Sequence, residues 1–285
     1  MSVSLDTSST LPQESPAYAG RIERGVREMY AEDDLGGACL FSGDFINFGF
    51  WPKNIEAQNE PLTVQQRLES QQELYRQVAA GLDIRGDDTV VEVGSGRGVG
   101  AGLVAKEFKP KTLIGVDFCK EQVARAAKIN AVAVEQGKIK FTEGDAQDLP
   151  FEDGSIDRVY SVEAAQHFPS AAKFVQESSR VLKSQGKLCV AAFFGCHDMA
   201  KAKVAPLVQT VDAEIDRLPS IESIKTAMQA ADFTDIKIQS IGGRVWAGFD
   251  KWVSQTELSD SWTRNWKVAY EAGDLDYYMI QGTKK

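Results

Sequence analysis

Histidine is almost absent from this chain: only His167 and His197 occur in 285 residues. Cysteine is nearly as sparse. Cys39, Cys119, Cys189 and Cys196 are scattered without a CxxC pair, which suits neither a disulfide framework nor a zinc site and points to a reducing compartment. Long apolar runs are missing too, and none approaches the roughly 20 residues needed to span a bilayer. The opening MSVSLDTSSTLPQESPAYAG lacks the basic and apolar regions of a secretory signal, so a cytoplasmic protein is expected. No basic stripe offsets the formal net charge of −9, which argues against a nucleic-acid partner. What remains is an ordinary soluble composition, 43% hydrophobic and 26% charged, enough to bury a core without staples.

The chain divides into four stretches. Residues 1–20, rich in Ser, Thr and Pro, read as a disordered lead-in. Residues 21–84 read as a helical and aromatic lid. RIERGVREMYAE and TVQQRLESQQELYRQVAAGL have helical spacing, with Thr63 as a cap. Between them, CLFSGDFINFGFWPKN holds Phe41, Phe45, Phe48, Phe50 and Trp51 too close together for a solvated loop. From 85 to 195, strands alternate with helices: TVVEVGSG, TLIGVD, IKFTEGD, SIDRVYSVEA and KLCVAAFFG are strands. CKEQVARAAKINAVAVEQG reads as one long helix and PSAAKFVQESSRVLKSQG as another. Such alternation implies right-handed crossovers, hence an α/β, doubly wound, mainly parallel sheet. Residues 196–285 read as helical cap insertions plus two last strands, DIKIQSIG and LDYYMIQGTKK, making seven. The insertion between those strands carries Trp246, Trp252, Trp262 and Trp266.

Chemistry concentrates at the strand ends. VVEVGSGRGVG places Gly94, Gly96 and Gly98 at a strand-to-helix turn, where glycine allows close backbone approach and positive φ. Read from Gly94 the loop fails the dinucleotide fingerprint; read from Gly96, with Ala101 last, it passes loosely, so an NAD site stays open on the loop alone. Asp117 ends the second strand, placed either to take both ribose hydroxyls of an adenosine ligand or to cap the next helix. Asp145 ends the third.

EVGSGRG, GVDFCKEQV, GDAQDLPF and VLKSQGKL, in this order and spacing, resemble the successive motifs of class I S-adenosylmethionine-dependent methyltransferases. FINFGFW and VEAAQHFP are similar to segments of the tocopherol, sterol, erythromycin and cyclopropane-synthase-like members. AGDLDYYMIQGTKK resembles the mycobacterial phthiotriolone type. The resemblance implies a Rossmann-like fold, S-adenosyl-L-methionine as cofactor, S-adenosyl-L-homocysteine as product and no metal. It also implies a site. Gly94, Ser95, Gly96 and Gly98 line the methionine part, with Glu92 supporting them. Asp117 binds the ribose, Phe118 packs on adenine, Asp145 and Ala146 bond its edge, and Val162 and Glu163 lie near the sulfonium. The family's usual Tyr in the aromatic segment is Phe50 here, which leaves a stacking surface.

With the donor at the carboxyl edge of the sheet, His167 stands where a base for the acceptor is needed, and Glu163 would orient it if the segment turns helically. His197, Trp51 and Trp246 are expected to touch substrate, and the tryptophans to enclose an apolar acceptor. The expectation is a monomeric or homodimeric small-molecule methyltransferase. Oxygen is the first choice of acceptor atom, nitrogen the second and carbon the third; a silent cofactor-binding protein and an NAD-dependent oxidoreductase are the alternatives of other classes.

Overall fold

The computed structural model describes residues 39–285; the expected lead-in at 1–20 and helix at 21–32 lie outside the described residues. Helix α1 (Val64–Leu82) starts where Thr63 predicts. Thr63 Oγ1 accepts from Gln66 N at 3.2 Å and the Gln66 side chain accepts from Thr63 N at 2.9 Å, so two otherwise orphaned amides are satisfied reciprocally.

Seven strands follow: β1 (Thr89–Val93), β2 (Thr112–Asp117), β3 (Ile139–Glu143), β4 (Ile156–Val162), β5 (Leu182–Gly195), β6 (Phe233–Ser240) and β7 (Leu275–Lys284). They form one sheet in the order β3-β2-β1-β4-β5-β7-β6. Only β7 runs against its neighbours. The central strands read as near-continuous apolar runs because both faces are covered. On one face pack α1, α2 (Val99–Phe108), α9 (Trp246–Val253) and α10 (Asn265–Glu271); on the other, α5 (Ala171–Val181) and α8 (Ile221–Ala230). The remaining α-helices among the described residues are α3 (Lys120–Ile129), α4 (Ala131–Glu135), α6 (Ala200–Val204) and α7 (Gln209–Asp212). No helix among the described residues is long and apolar enough to cross a membrane.

Two predicted helices are shorter than their patterns. The long one breaks into α3 and α4 because Asn130 turns its side chain inward, donating from Nδ2 to the carbonyls of Gly98 and Ala126, both at 3.0 Å. The other ends at Val181, since Leu182 already pairs with Ile156 as the start of β5. Crossovers from β1 and β4 leave in opposite directions, so the strand order reverses between these two. The crevice outside their carboxyl ends is where ligands bind in open α/β sheets.

Candidate active site

The glycine loop is shaped by contacts that exclude a side chain. Gly94 has φ 78°, and a Cβ there would come within 2.2 Å of Ala164 Cβ on the turn after β4. This close approach closes β1 and β4 around the switch point. Gly94 N and Ser95 N both donate to Val116 O, at 2.8 and 3.0 Å, tying the loop to β2. Asp117 does two things at once: Oδ2 accepts from Gly96 N at 2.8 Å and Oδ1 from Cys119 N at 3.0 Å. Burial pushes its carboxyl above the usual range, against the pull of those amides and of His167.

These elements surround a cavity of about 540 Å³ at the carboxyl edge. Gly94, Ser95, Gly96, Asp117, Phe118, Asp145, Ala146 and Val162 all line it, and so do Glu163 and His167. Asp44 and Ile46 of the lid and Tyr75 of α1 complete the wall. Glu92 and Gly98 do not line it. Gly98 begins α2, with φ 71°. Glu92 lies buried beneath the loop, where Tyr160 donates to it at 3.1 Å. Burial pushes its carboxyl up to about 8, opposed by the Tyr160 and Tyr75 hydroxyls.

The aromatic segment expected to form a lid is fastened from below. Arg67, wholly buried on α1, donates to the carbonyls of Leu40 at 3.0 Å, Asn47 at 2.7 Å and Phe48 at 3.2 Å. One turn on, the Gln71 side chain accepts from Ser42 N and donates to Phe45 O. Burial lowers Arg67 to about 9, opposed by the nearby Glu163.

Glu163 and His167 do not form the expected pair. Glu163 takes a left-handed backbone, φ 46°, and the chain then makes a single 3₁₀ turn, Ala165–His167. At three residues per turn, positions i and i+4 share no face. Instead Glu163 Oε1 accepts from Phe48 N at 2.6 Å and from the Tyr277 hydroxyl at 2.9 Å, joining the turn to the lid and to β7. Burial pushes this carboxyl up to about 8, while Phe48 N, Tyr277 and Arg67 pull the other way. His167 has a different setting: Nδ1 lies 3.1 Å from Ile215 O and 3.2 Å from Asp216 Oδ1, and Nε2 lies 3.3 Å from Gln166 Nε2.

Four further residues named from sequence stand away from the cavity wall. Trp51 and Trp246 are fully buried. Trp246 stacks on Trp266 at 5.8 Å and packs on Phe48 at 5.5 Å, so these tryptophans fill the core rather than enclose a ligand. Phe50 lies 4.2 Å beneath the Arg244 guanidinium. His197 sits at the surface, 3.0 Å from Asp274. Sequence reasoning missed Arg67, Tyr75, Asp216 and Tyr277. Polar residues at 67 and 71 on the buried stripe of α1 were a usable signal; nothing local marks Asp216.

The cavity fits an adenosyl sulfonium. Carboxylates close β2 and β3 on one side, and Ser95 Oγ, buried in the wall, has no partner among the described residues. Fold, glycine loop and strand-end acids are similar to those of class I S-adenosylmethionine-dependent methyltransferases. Residues 91–190 match the family described as methyltransferase domain. Among curated relatives, the chain is 34% identical over 143 residues to the fatty-acid O-methyltransferase of Mycolicibacterium smegmatis, covering 50% of each chain. It is 31% identical over 163 residues to the erythromycin 3''-O-methyltransferase of Saccharopolyspora erythraea, covering 57% of this chain and 49% of that one. The alignments thus span about half the length of these relatives. Among solved structures, geranyl diphosphate C-methyltransferase from Streptomyces coelicolor A3(2) superposes with a TM-score of 0.78 at 16% identity, over 95% of this chain and 99% of that one. That likeness concerns the fold.

Proposed function

We propose that the protein transfers a methyl group from S-adenosylmethionine to a hydroxyl of a mid-sized, mostly apolar metabolite. The observation that carries this reading is the two-sidedness of the cavity. Ser95, Asp117, Asp145 and Ala146 line it where a cofactor needs acceptors and backbone donors, and Glu163 lines it beyond the end of β4. The cofactor supplies an electrophilic methyl on a positive sulfur. In this reading Asp117 holds the ribose, Asp145 and Ala146 hold the adenine edge, and residues 85–195 form the binding core beneath the lid.

Proton removal falls to Glu163. Its two hydrogen bonds both go to Oε1, so Oε2 is the oxygen available to an acceptor. A carboxyl titrating near 8 suits a hydroxyl donor at neutral pH better than an ordinary one, because a general base works best near the operating pH. His167 has protein groups against both ring nitrogens, so we assign it to holding the cavity wall through Asp216 and Ile215. Most of the rate then comes from alignment, of order 7–11 kcal/mol in favourable cases.

The names of the fatty-acid and erythromycin relatives favour oxygen as the acceptor atom. Among the described residues Arg97 is the one Arg or Lys on the cavity wall, which favours an apolar acceptor over a diphosphate. The test is calorimetry with S-adenosylhomocysteine and with NAD, followed by a metabolite panel assayed for methyl transfer. Tight NAD binding with no response to S-adenosylhomocysteine would sink the reading.

A further inference from the structure

Glu163 is served by a residue that stands outside the cavity. Tyr277 on β7 is not part of the cavity wall, yet its hydroxyl donates to Glu163 Oε1 at 2.9 Å. The sheet brings it there. Tyr277 pairs with Phe193 of β5, and two residues earlier on β5 the Ala191 carbonyl accepts from Glu163 N at 2.8 Å. That carbonyl also stands 3.4 Å from the Tyr277 hydroxyl, so backbone and side chain of Glu163 are held by one local arrangement. The Tyr277 ring is fully buried and edge-on to Trp246 at 5.9 Å, a setting that a phenylalanine would fill equally well. Packing therefore asks for a ring at 277, and a buried hydroxyl needs a partner, which Glu163 provides.

Two donors on one oxygen decide where a proton can sit. Phe48 N, which can only donate, and the Tyr277 hydroxyl both point at Oε1, so a proton on that oxygen would face two others. The proton is thereby confined to Oε2. A hydrogen bond given to a carboxylate also favours its charged form, and burial pushes the Tyr277 phenol well above the usual range, so it stays a neutral donor. The other groups facing Glu163 are Arg67 and Tyr75 on α1, and Asp216 between α7 and α8; Arg67 favours the charge and Asp216 opposes it. We propose that Tyr277 is a positioning residue that acts through Glu163. Its hydroxyl keeps Oε1 an acceptor, leaves Oε2 to take the proton of the substrate hydroxyl, and steadies the charged carboxylate. The assignment rests on Glu163 being the base in the proposed reaction.

Nuclear magnetic resonance on protein whose glutamates carry a carbon-13 label at Cδ titrates each carboxyl without any substrate. The resonance lost in Glu163→Gln identifies the group, which should titrate at about 8 in the parent. Tyr277→Phe keeps the ring and its packing but removes one bond to the charged form, so the Glu163 midpoint should rise by about one pH unit or more. Tyr278→Phe removes the neighbouring hydroxyl, which lies on the opposite face of β7 against Cys196, and should leave the midpoint where it was. The same midpoint in the parent and Tyr277→Phe overturns the proposal. An equal rise in Tyr278→Phe also overturns it, because the effect would then come from loosening β7 in general. Calorimetry with S-adenosylhomocysteine on the same samples tests the functional reading separately. A parent that does not bind S-adenosylhomocysteine overturns that reading even where the Tyr277 shift is present.

Discussion

Replacing Glu163 by Gln separates its two jobs. The amide oxygen of Gln can still accept from Phe48 N and the Tyr277 hydroxyl, the contacts that hold lid and β7 at 2.6 and 2.9 Å. It cannot take a proton from an acceptor. The expected result is a kcat lower by about 10²–10⁴-fold, with the cofactor bound almost as before. In the parent, kcat/KM should rise with pH and level off above about 8, where the carboxylate form dominates; the variant should lack that limb. Stability gives an independent reading of the same group. Below pH 4.5 folded and unfolded chains both hold the proton, so nothing is lost. Between 4.5 and about 8 the unfolded chain releases it while the folded one keeps it, so this carboxyl makes stability fall across that window. Urea unfolding at pH 5 and pH 8 should show the parent losing more than Glu163→Gln. His167→Ala, by contrast, should lower kcat less than tenfold. A Glu163→Gln enzyme within tenfold of the parent, beside a His167→Ala enzyme that loses the basic limb, would refute the assignment and return the proton to the histidine.

Asp117→Ala should weaken S-adenosylmethionine by about 1.5–3 kcal/mol, read by calorimetry. A folded variant with unchanged affinity would reduce Asp117 to holding Gly96 and Cys119. Gly94→Ala combines a backbone at φ 78° with a Cβ 2.2 Å from Ala164, so it should cost at least about 1–3 kcal/mol in denaturant unfolding and abolish cofactor binding. Retained binding at parental stability would show that the loop relaxes freely. Glu92→Gln should flatten the stability loss between pH 4.5 and about 8, because the buried Glu92 keeps its proton only when folded. An identical pH dependence in parent and variant would mean that Glu92 ionises in place.

The glycine loop and strand-end acids of the cavity were legible because they are set by local order. A strand that runs into Gly94 and a strand that stops at Asp117 follow from spacing along one stretch of chain. The contacts beyond the end of β4 were not. Glu163 meets Phe48 across 115 positions and Tyr277 across 114, and His167 meets Ile215 across 48. No periodicity links such partners. The expected Glu163–His167 contact failed for a related reason: helical spacing was extended into a segment whose first residue has positive φ. The tryptophans were located correctly in the insertion, but core and cavity demand the same apolar chemistry, and only packing tells them apart. Alternation of strands and helices, in contrast, carried the seven-stranded sheet without help from distant contacts.

The fastening of the lid has a consequence for motion. Phe48 N, Phe50 N and Trp51 N donate to Glu163, Ser70 O and Arg244 O, at 2.6, 2.8 and 2.6 Å, while a buried Arg67 gathers the carbonyls of Asn47 and Phe48. Opening this segment means stranding a guanidinium in apolar surroundings, so it should melt together with the sheet rather than swing ahead of it. Amide hydrogens at these three positions are then expected to exchange at the rate of global unfolding, as slowly as those of β1 and β4. Traffic through the cavity would then be governed by side-chain motion, with the backbone overhead standing still from one turnover to the next.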